Sequence, residues 1–532
     1  MNILMIYPKF PPTFWNPDHY LPDPPDKPNY TMPPLGLLTI ASYLPDDFQI
    51  RLIDRNVREE TERDWEWADV VFFSLMLAQI QDYRFCLTKA RRAGKPVALG
   101  GPFTHAMPKE ACVDADWVCY GEAETIMEDF IGDLRADRRK RIYHGGNKTN
   151  MEEVKIPRFD LLPHINDYTT MPIQFSRGCP FNCEFCDIIE IYGRVPRTKR
   201  PSQVLAELDA INHLRFRGAI FIVDDNFIGN KRKAKEMVEE LAVWNRIHDF
   251  PYLFMTEASI NLAHEEPLLE AMARANFFSV FIGIETPDPQ LLKMTQKMQN
   301  IPGNPLEKLR KIREYGIHIM AGFIMGFDGE DRQVFETQKS FIQASGIGIA
   351  MIGLLQAIPH TQLSRRLKNE GRLLENGSMK VITTVEGINF IPKGEITKRD
   401  YFENYYRIVQ ELLKPELFFE RICTAALQIR PRLKLRKCLP RHVFSYLNDL
   451  LYLTLKAKGI RRYFWKALLN VLWKNPLALG SFLFDCDWYP YLRHHTYFEL
   501  KRQIFDYLTH PDPGDVLDRV IPMGEAVSVV QL

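Results

Sequence analysis

The chain has 532 residues, 46% of them hydrophobic and 25% charged, and carries a net charge of +1. That length exceeds one core and predicts about three or four domains, while the near-neutral balance excludes a globally basic surface, so no nucleic-acid partner is expected. Nine cysteines form no secreted disulfide framework, Met1-Asn-Ile-Leu-Met-Ile-Tyr7 lacks the parts of a signal peptide, and no run approaches the roughly 18 apolar residues of a spanning helix, so a cytoplasmic protein is expected.

Residues 1–125 alternate short apolar strands with helical stretches. Strands are predicted over Ile3–Tyr7, Ile50–Asp54, Val70–Ser74, Pro96–Gly100 and Trp117–Tyr120, with helices such as Leu35–Leu44 and Tyr83–Ala93 between them. This is the pattern of a doubly wound parallel sheet that binds its ligand at the carboxyl ends of its strands. At those ends lie Asp54-Arg-Asn-Val57, with Asn56, then Ser74 and Leu75, then Gly100 and Gly101. Two glycines let a bulky ligand approach the backbone, and a small Ser can hydrogen-bond it; taken alone, such residues also simply make turns. The Pro-rich stretch from Pro8 to Pro34 is too long for an ordinary connection and is expected to form a lid or ligand-facing loop. Residues 126–168 read as a linker with a short excursion of structure, and the charged run Arg135–Arg141 as a solvated face.

A second βα series fills residues 169–357. Its predicted strands are Pro172–Ser176, Ala219–Asp224, Tyr252–Ala258, Ser279–Gly283, His318–Met325 and Ala350–Leu355, a partial (β/α)6 barrel. Just after its first strand comes Arg177-Gly-Cys-Pro-Phe-Asn-Cys-Glu-Phe-Cys-Asp187. Three thiolates at this spacing, Cys179, Cys183 and Cys186, can hold three irons of a [4Fe–4S] cube and leave the fourth open to a chelating ligand. A structural zinc site would want a fourth close Cys or His, and none follows. Further strand ends carry Asp224 and Asp225, then Gly283 and Glu285, then Gly322. Each of these is also readable as a strand-end turn or a solvated acid. His105, His360 and the pair His494-His495 lack companions at metal-ligand spacing and read as surface or core residues. Cys86, Cys112, Cys119, Cys423, Cys438 and Cys486 read as ordinary buried thiols.

Residues 358–532 are predicted to be mainly helical. From Leu427 to Phe484 a dozen Lys and Arg stand against one acid, Asp449, interleaved with aromatic and leucine residues. Such a stretch suits peripheral contact with anionic lipid headgroups; it reads equally as helices packed on the barrel with their cations facing water.

The C-x3-C-x2-C run, with Phe185 before its last cysteine, resembles the radical S-adenosylmethionine (SAM) superfamily. The strand-end residues of the first domain, with Pro33-Pro-Leu-Gly-Leu-Leu38, resemble the flavodoxin-like cobalamin-binding domains fused to many of its members. Read in order, the whole chain resembles a cobalamin-dependent radical SAM methyltransferase. Gly353-Leu-Leu-Gln-Ala-Ile-Pro-His-Thr-Gln-Leu363 and Asn389-Phe-Ile-Pro-Lys393 resemble the subgroup that contains the hopanoid carbon-2 methylase. The resemblance implies three cofactors: a [4Fe–4S] cluster, SAM and cobalamin. Glu285 would contact the SAM ribose or amino-acid end, Asp224 and Asp225 its amino group, and the backbone near Gly322 its adenine. Where related domains carry a cobalt-ligating histidine this chain has Asn56, so a cobalt without that ligand is implied. The implied reaction moves a methyl from SAM to cobalt and on, from methylcobalamin, to a substrate carbon opened by a 5′-deoxyadenosyl radical. A flavodoxin- or ferredoxin-type electron donor and a small-molecule or lipid substrate follow from it. A cobalamin-radical SAM cyclase or rearrangement enzyme acting on a tetrapyrrole, a methylthio-transferring enzyme and a non-catalytic iron–sulfur protein remain alternatives; product mass separates the first from a methylase.

Overall fold

The computed structural model describes residues 1–11, 13–15, 32–139, 141–145, 148–374, 388–432, 453–454, 459–494, 496 and 500–501. Six parallel strands build the first sheet: β1 (Asn2–Tyr7), β2 (Gln49–Asp54), β3 (Val70–Ser74), β4 (Val97–Gly100), β5 (Trp117–Gly121) and β6 (Arg141–Gly145), in the order β2-β1-β3-β4-β5-β6. Strand order reverses between β1 and β3, which opens a crevice at their carboxyl ends. Ile3, Leu4, Met5 and Ile6 are all buried, as expected of a strand covered on both faces.

The stretch expected to be a linker contributes the helix Met127–Arg135 and then β6, paired with β5. Its charge run hid the strand. Buried Asp133 takes Arg138 at 2.5 Å, pairs with Arg141 and accepts from the Tyr143 hydroxyl at 2.7 Å, so part of the run is tied to one carboxylate.

A second parallel sheet has the order β14-β13-β12-β11-β10-β7, from β7 (Thr170–Ile173), β10 (Ala219–Ile222), β11 (Leu253–Ala258), β12 (Phe277–Glu285), β13 (His318–Met325) and β14 (Ala350–Leu354). It is the predicted six-unit partial barrel. The first predicted strand ends early: Ser176–Arg177 (β8) pairs instead with Arg197–Thr198 (β9), a small antiparallel hairpin that brackets the cysteine loop. Helices Lys398–Leu412, Pro415–Gln428, Arg461–Lys474 and Leu479–His494 follow, and the last three share a core around Phe418, Phe464 and Tyr489. Cys112, expected to be buried, is half-buried instead. Residues 433–452 and 455–458 of the basic stretch, with Cys438, and His495 lie outside the described residues. So do residue 12 and residues 16–31 of the Pro-rich segment. What is described of it reaches over the barrel, where Trp15 packs edge-on against Phe281 at 5.4 Å and the Tyr491 hydroxyl bonds the Thr13 carbonyl. No described helix is long and apolar enough to cross a membrane.

Candidate active site

The cysteine loop leaves β8 through Gly178, whose φ of +93° and whose approach to the Gly193 and Val195 carbonyls leave no room for a Cβ. Asp224 fixes its entry, accepting from the Phe175 and Ser176 amides at 2.8 Å and from the Ser176 hydroxyl at 2.6 Å. Sequence reasoning had Asp224 facing SAM; in the structure both its oxygens are used within the protein. Asp225 and Glu257, on the neighbouring β11, are ion-paired to nothing among the described residues. Burial first, then the adjacent carboxylates, push Asp225 up to about 7 and Glu257 up to about 8. Two desolvated acids held this way invite a cation such as an ammonium. Nothing in the sequence marked Glu257.

Of the three cysteines, Cys183 is buried and Cys179 and Cys186 are half-buried. Asn226 donates toward Cys179 Sγ at 3.7 Å and Gln299 toward Cys183 Sγ at 3.6 Å. Burial pushes the Cys179 and Cys186 thiols above their ordinary range. Among the described residues no three Cys, His, Asp or Glu are gathered tightly enough for one metal ion. A single zinc at about 2.3 Å from each sulfur demands such crowding, whereas a cube takes one thiolate per corner iron. The donor set and its amide partners fit a cluster.

Glu285 ends β12 in the left-handed region, φ +64°, beside a register shift at Gly283. Gln338 holds its carbonyl at 2.8 Å, and Lys297 pairs with its carboxylate. Burial alone would lower the Lys297 pKa, but Glu285 and the cysteines beyond it raise it. Lys297 is thus a cation between the cysteine loop and Glu285, 5.9 Å above the Phe185 ring. It lies in no recognisable motif, and sequence reasoning missed it.

Glu285 and Phe185 line a cavity of about 300 Å³. Gly283, Gly322, Phe323 and Met351 line its barrel side, and Tyr405, Leu413, Arg421 and Leu492 close it from the C-terminal helices. Phe14, from the Pro-rich segment, lines it too. Gly322 therefore faces this apolar space.

In the first domain Ser74, Leu75 and Gly101 converge. A Cβ on Gly101, where φ is +87°, would stand 2.7 Å from Ser74 Oγ and 2.9 Å from the Leu75 amide nitrogen. Gly36, in the Pro-Pro-Leu-Gly segment, approaches the same Ser74 oxygen, and Gly100 lies against Cys119. The space beside Gly101 is taken by the protein itself, and the bare strand ends at Gly100 and Gly101 form a cradle at which the tail of a corrin would lie. Asn56 is committed elsewhere: its oxygen accepts from the Phe10 amide at 2.9 Å and its amide donates to Asp54 at 2.7 Å. The two domains meet where Glu122 and Glu124 grip the hairpin. Arg177 pairs with both, at 3.0 and 2.6 Å, and Arg197 with Glu122 at 2.7 Å. His105 and His360, separate in sequence, bring their rings within 5.3 Å beside Tyr120.

Three family models match this chain: a B12 binding domain over residues 26–131, the Radical SAM superfamily over 173–340 and a domain of unknown function, DUF4070, over 361–502. An uncharacterized methyltransferase of Synechocystis sp. is 38% identical over 531 residues, 98% of this chain and 97% of that protein. The hopanoid C-2 methylase of Rhodopseudomonas palustris is 38% identical over 379 residues, 70% of this chain and 71% of its own. Among solved structures, the cobalamin-dependent S-adenosylmethionine radical enzyme OxsB, with aqua-cobalamin and S-adenosylmethionine bound, shares the fold at a TM-score of 0.58 and 15% identity, over 95% of this chain and 81% of that one. The cysteine loop, the glycines at the strand ends of the first sheet, the matching B12 and Radical SAM models and near full-length similarity to a methyltransferase agree, and the chain belongs to the cobalamin-dependent radical SAM methyltransferase family.

Proposed function

We propose that this enzyme methylates an unactivated carbon of a hopanoid or another lipid. The observation that carries the reading is the cavity: Glu285 and Phe185 line it with mostly aliphatic and aromatic side chains from β12, β13, β14 and the helices Lys398–Leu412 and Leu479–His494, and Arg421 is the one residue that Pro415–Gln428 adds. A pocket with few polar groups recognises its ligand by shape and by burying apolar surface. The hopanoid C-2 methylase relative supports the same class of substrate.

When bound, the cluster, SAM and cobalamin supply an electron, a hydrogen-abstracting radical and a methyl carrier. The chain's own residues do the positioning. Cys179, Cys183 and Cys186 would hold the cluster. Asp225 and Glu257 would receive the SAM ammonium, and Glu285, fixed by Lys297 and Gln338, a hydroxyl of its ribose or its amino-acid end. Ser74, Leu75, Gly100 and Gly101 would receive the corrin tail, and Asn56, engaged with Phe10 and Asp54, contributes no cobalt ligand. The apolar wall excludes water from the reacting carbon. A flavodoxin- or ferredoxin-type protein is the proposed electron donor, and the cytoplasm, at a membrane surface, the proposed location.

The test is anaerobic turnover of the reconstituted enzyme with methyl-labelled SAM, a low-potential reductant and a hopanoid. Label is expected in the lipid. Met351→Trp, which fills the cavity, should abolish that transfer while 5′-deoxyadenosine still forms. Label appearing only in polar acceptors would refute the lipid assignment.

A further inference from the structure

The helix Arg461–Lys474 is apolar on two opposite faces. Phe464, Ala467, Leu468 and Val471 are buried, and Phe464 meets Phe419 edge-on and stacks on Phe482. Trp465, Leu469, Leu472 and Trp473 form the other face, and Leu477 extends it past the helix end. Leu469 is 60% exposed, Leu477 77% and Trp473 87%. Their spacing is that of a helical stripe, so the exposure is one continuous band and not a scatter of single side chains.

The same helix carries four cations, and three of them, Arg461, Arg462 and Lys466, fall on the side of the band. Arg461, Arg462, Lys466 and Lys474 are exposed, the helix contains no Asp or Glu, and none of the four is ion-paired among the described residues. Tryptophan prefers the boundary between headgroups and acyl chains, where its ring is buried and its N–H stays wet. A leucine and tryptophan band edged with cations and free of acids is the surface of a helix that lies in an interface plane.

We propose that this face docks on a bilayer containing anionic lipid. Charge selects that occupant over a second copy of the chain, since a two-fold contact through the band would set three cations against three. The location gives the contact its use. Phe419, which packs under the docking helix, shares the helix Pro415–Gln428 with Arg421, and Arg421 lines the cavity. One layer of helices therefore separates the bilayer-facing band from the apolar cavity, and a lipid substrate is drawn from the membrane side. This deepens the lipid-substrate reading, on which it rests for its purpose, but docking itself needs no turnover.

The test is flotation of the full-length protein, without SAM, with vesicles of phosphatidylcholine alone or mixed with phosphatidylglycerol. Binding is expected to the anionic vesicles, with a blue shift in tryptophan emission, and to weaken at high salt. Trp465→Ser with Trp473→Ser should lower the bound fraction by about tenfold or more. Arg461→Glu, Arg462→Glu and Lys466→Glu should each lower it about fivefold. Unchanged circular dichroism and unchanged 5′-deoxyadenosine formation show that the variants are folded. Three results overturn the proposal: no binding to anionic vesicles at low salt, full binding by the double tryptophan variant, or a dimer that the double tryptophan variant abolishes in place of vesicle binding. Vesicle binding without hopanoid methylation would leave the docking surface standing and remove the substrate assignment instead.

Discussion

Gln299 donates its amide toward Cys183 Sγ while its own oxygen is buried without a partner. An N–H aimed at a ligating sulfur favours the more negative, reduced cluster, so Gln299 raises the reduction potential. Gln299→Leu should lower it by on the order of tens of millivolts, read in a redox titration followed by electron paramagnetic resonance; an unmoved potential would deny the contact any influence. Glu330 is a second residue with a readable effect. It accepts from the Gly326 amide and the Tyr401 hydroxyl, both at 2.9 Å, through one oxygen, and burial pushes its carboxyl up to about 7. Its unfolded value is near the ordinary 4.5, so between these limits the folded state binds the extra proton and stability falls as pH rises. Above about pH 7 the cost is constant. Glu330→Gln should therefore raise the melting temperature more at pH 8 than at pH 5, and an equal shift at both would assign the burial cost to something other than charge. Lys297 and Glu257 show what the sequence concealed at this scale. Each matters only because a strand end or a loop brings it to Asp225, Glu285 or the cysteines, and neither sits at a fixed spacing from them.

Among the elements, the turn after β4 is the most constrained. Gly101→Ala would place a methyl 2.7 Å from Ser74 Oγ and 2.9 Å from the Leu75 amide nitrogen, on a backbone at φ +87°. The cradle would have to open, at a cost of about 1–3 kcal/mol from the backbone alone. Cobalamin binding, followed by its absorbance after gel filtration, should fall sharply, while the barrel of the same protein still cleaves SAM. Retained cobalamin affinity would move the corrin elsewhere. Elements of this kind were legible because buried parallel strands read as short apolar runs and their ends carry Gly, Ser and Asp. The strand β6 was not, since Arg138 and Arg141 are indeed exposed, and no spacing in the charged run marks a strand or its link to Asp133. The hairpin of β8 and β9 was hidden as well: two residues per strand are too few to show a period.

At the scale of the molecule, the cavity was the least legible feature. Its walls come from Phe14, from three barrel strands and from helices beyond residue 400, and apolar residues in those elements look like ordinary core. The joint between domains was equally silent, although Glu122-Ala-Glu124 directly follows β5. Glu122 is buried and serves two arginines. Glu122→Ala would leave both without that partner, a change of about 3–5 kcal/mol for a buried pair. The expected result is a lower melting temperature together with 5′-deoxyadenosine formed without matching methyl transfer, because the corrin domain no longer keeps its place against the barrel. Tight coupling of the two products in this variant would show that the joint is dispensable. The same clasp has a thermodynamic corollary. Arg177 begins the cysteine loop and Glu122 and Glu124 follow a strand of the corrin sheet, so order gained on one side is felt on the other. Linkage is reciprocal: whatever factor cobalamin adds to the affinity of the loop for iron and sulfide, the assembled cluster returns to cobalamin.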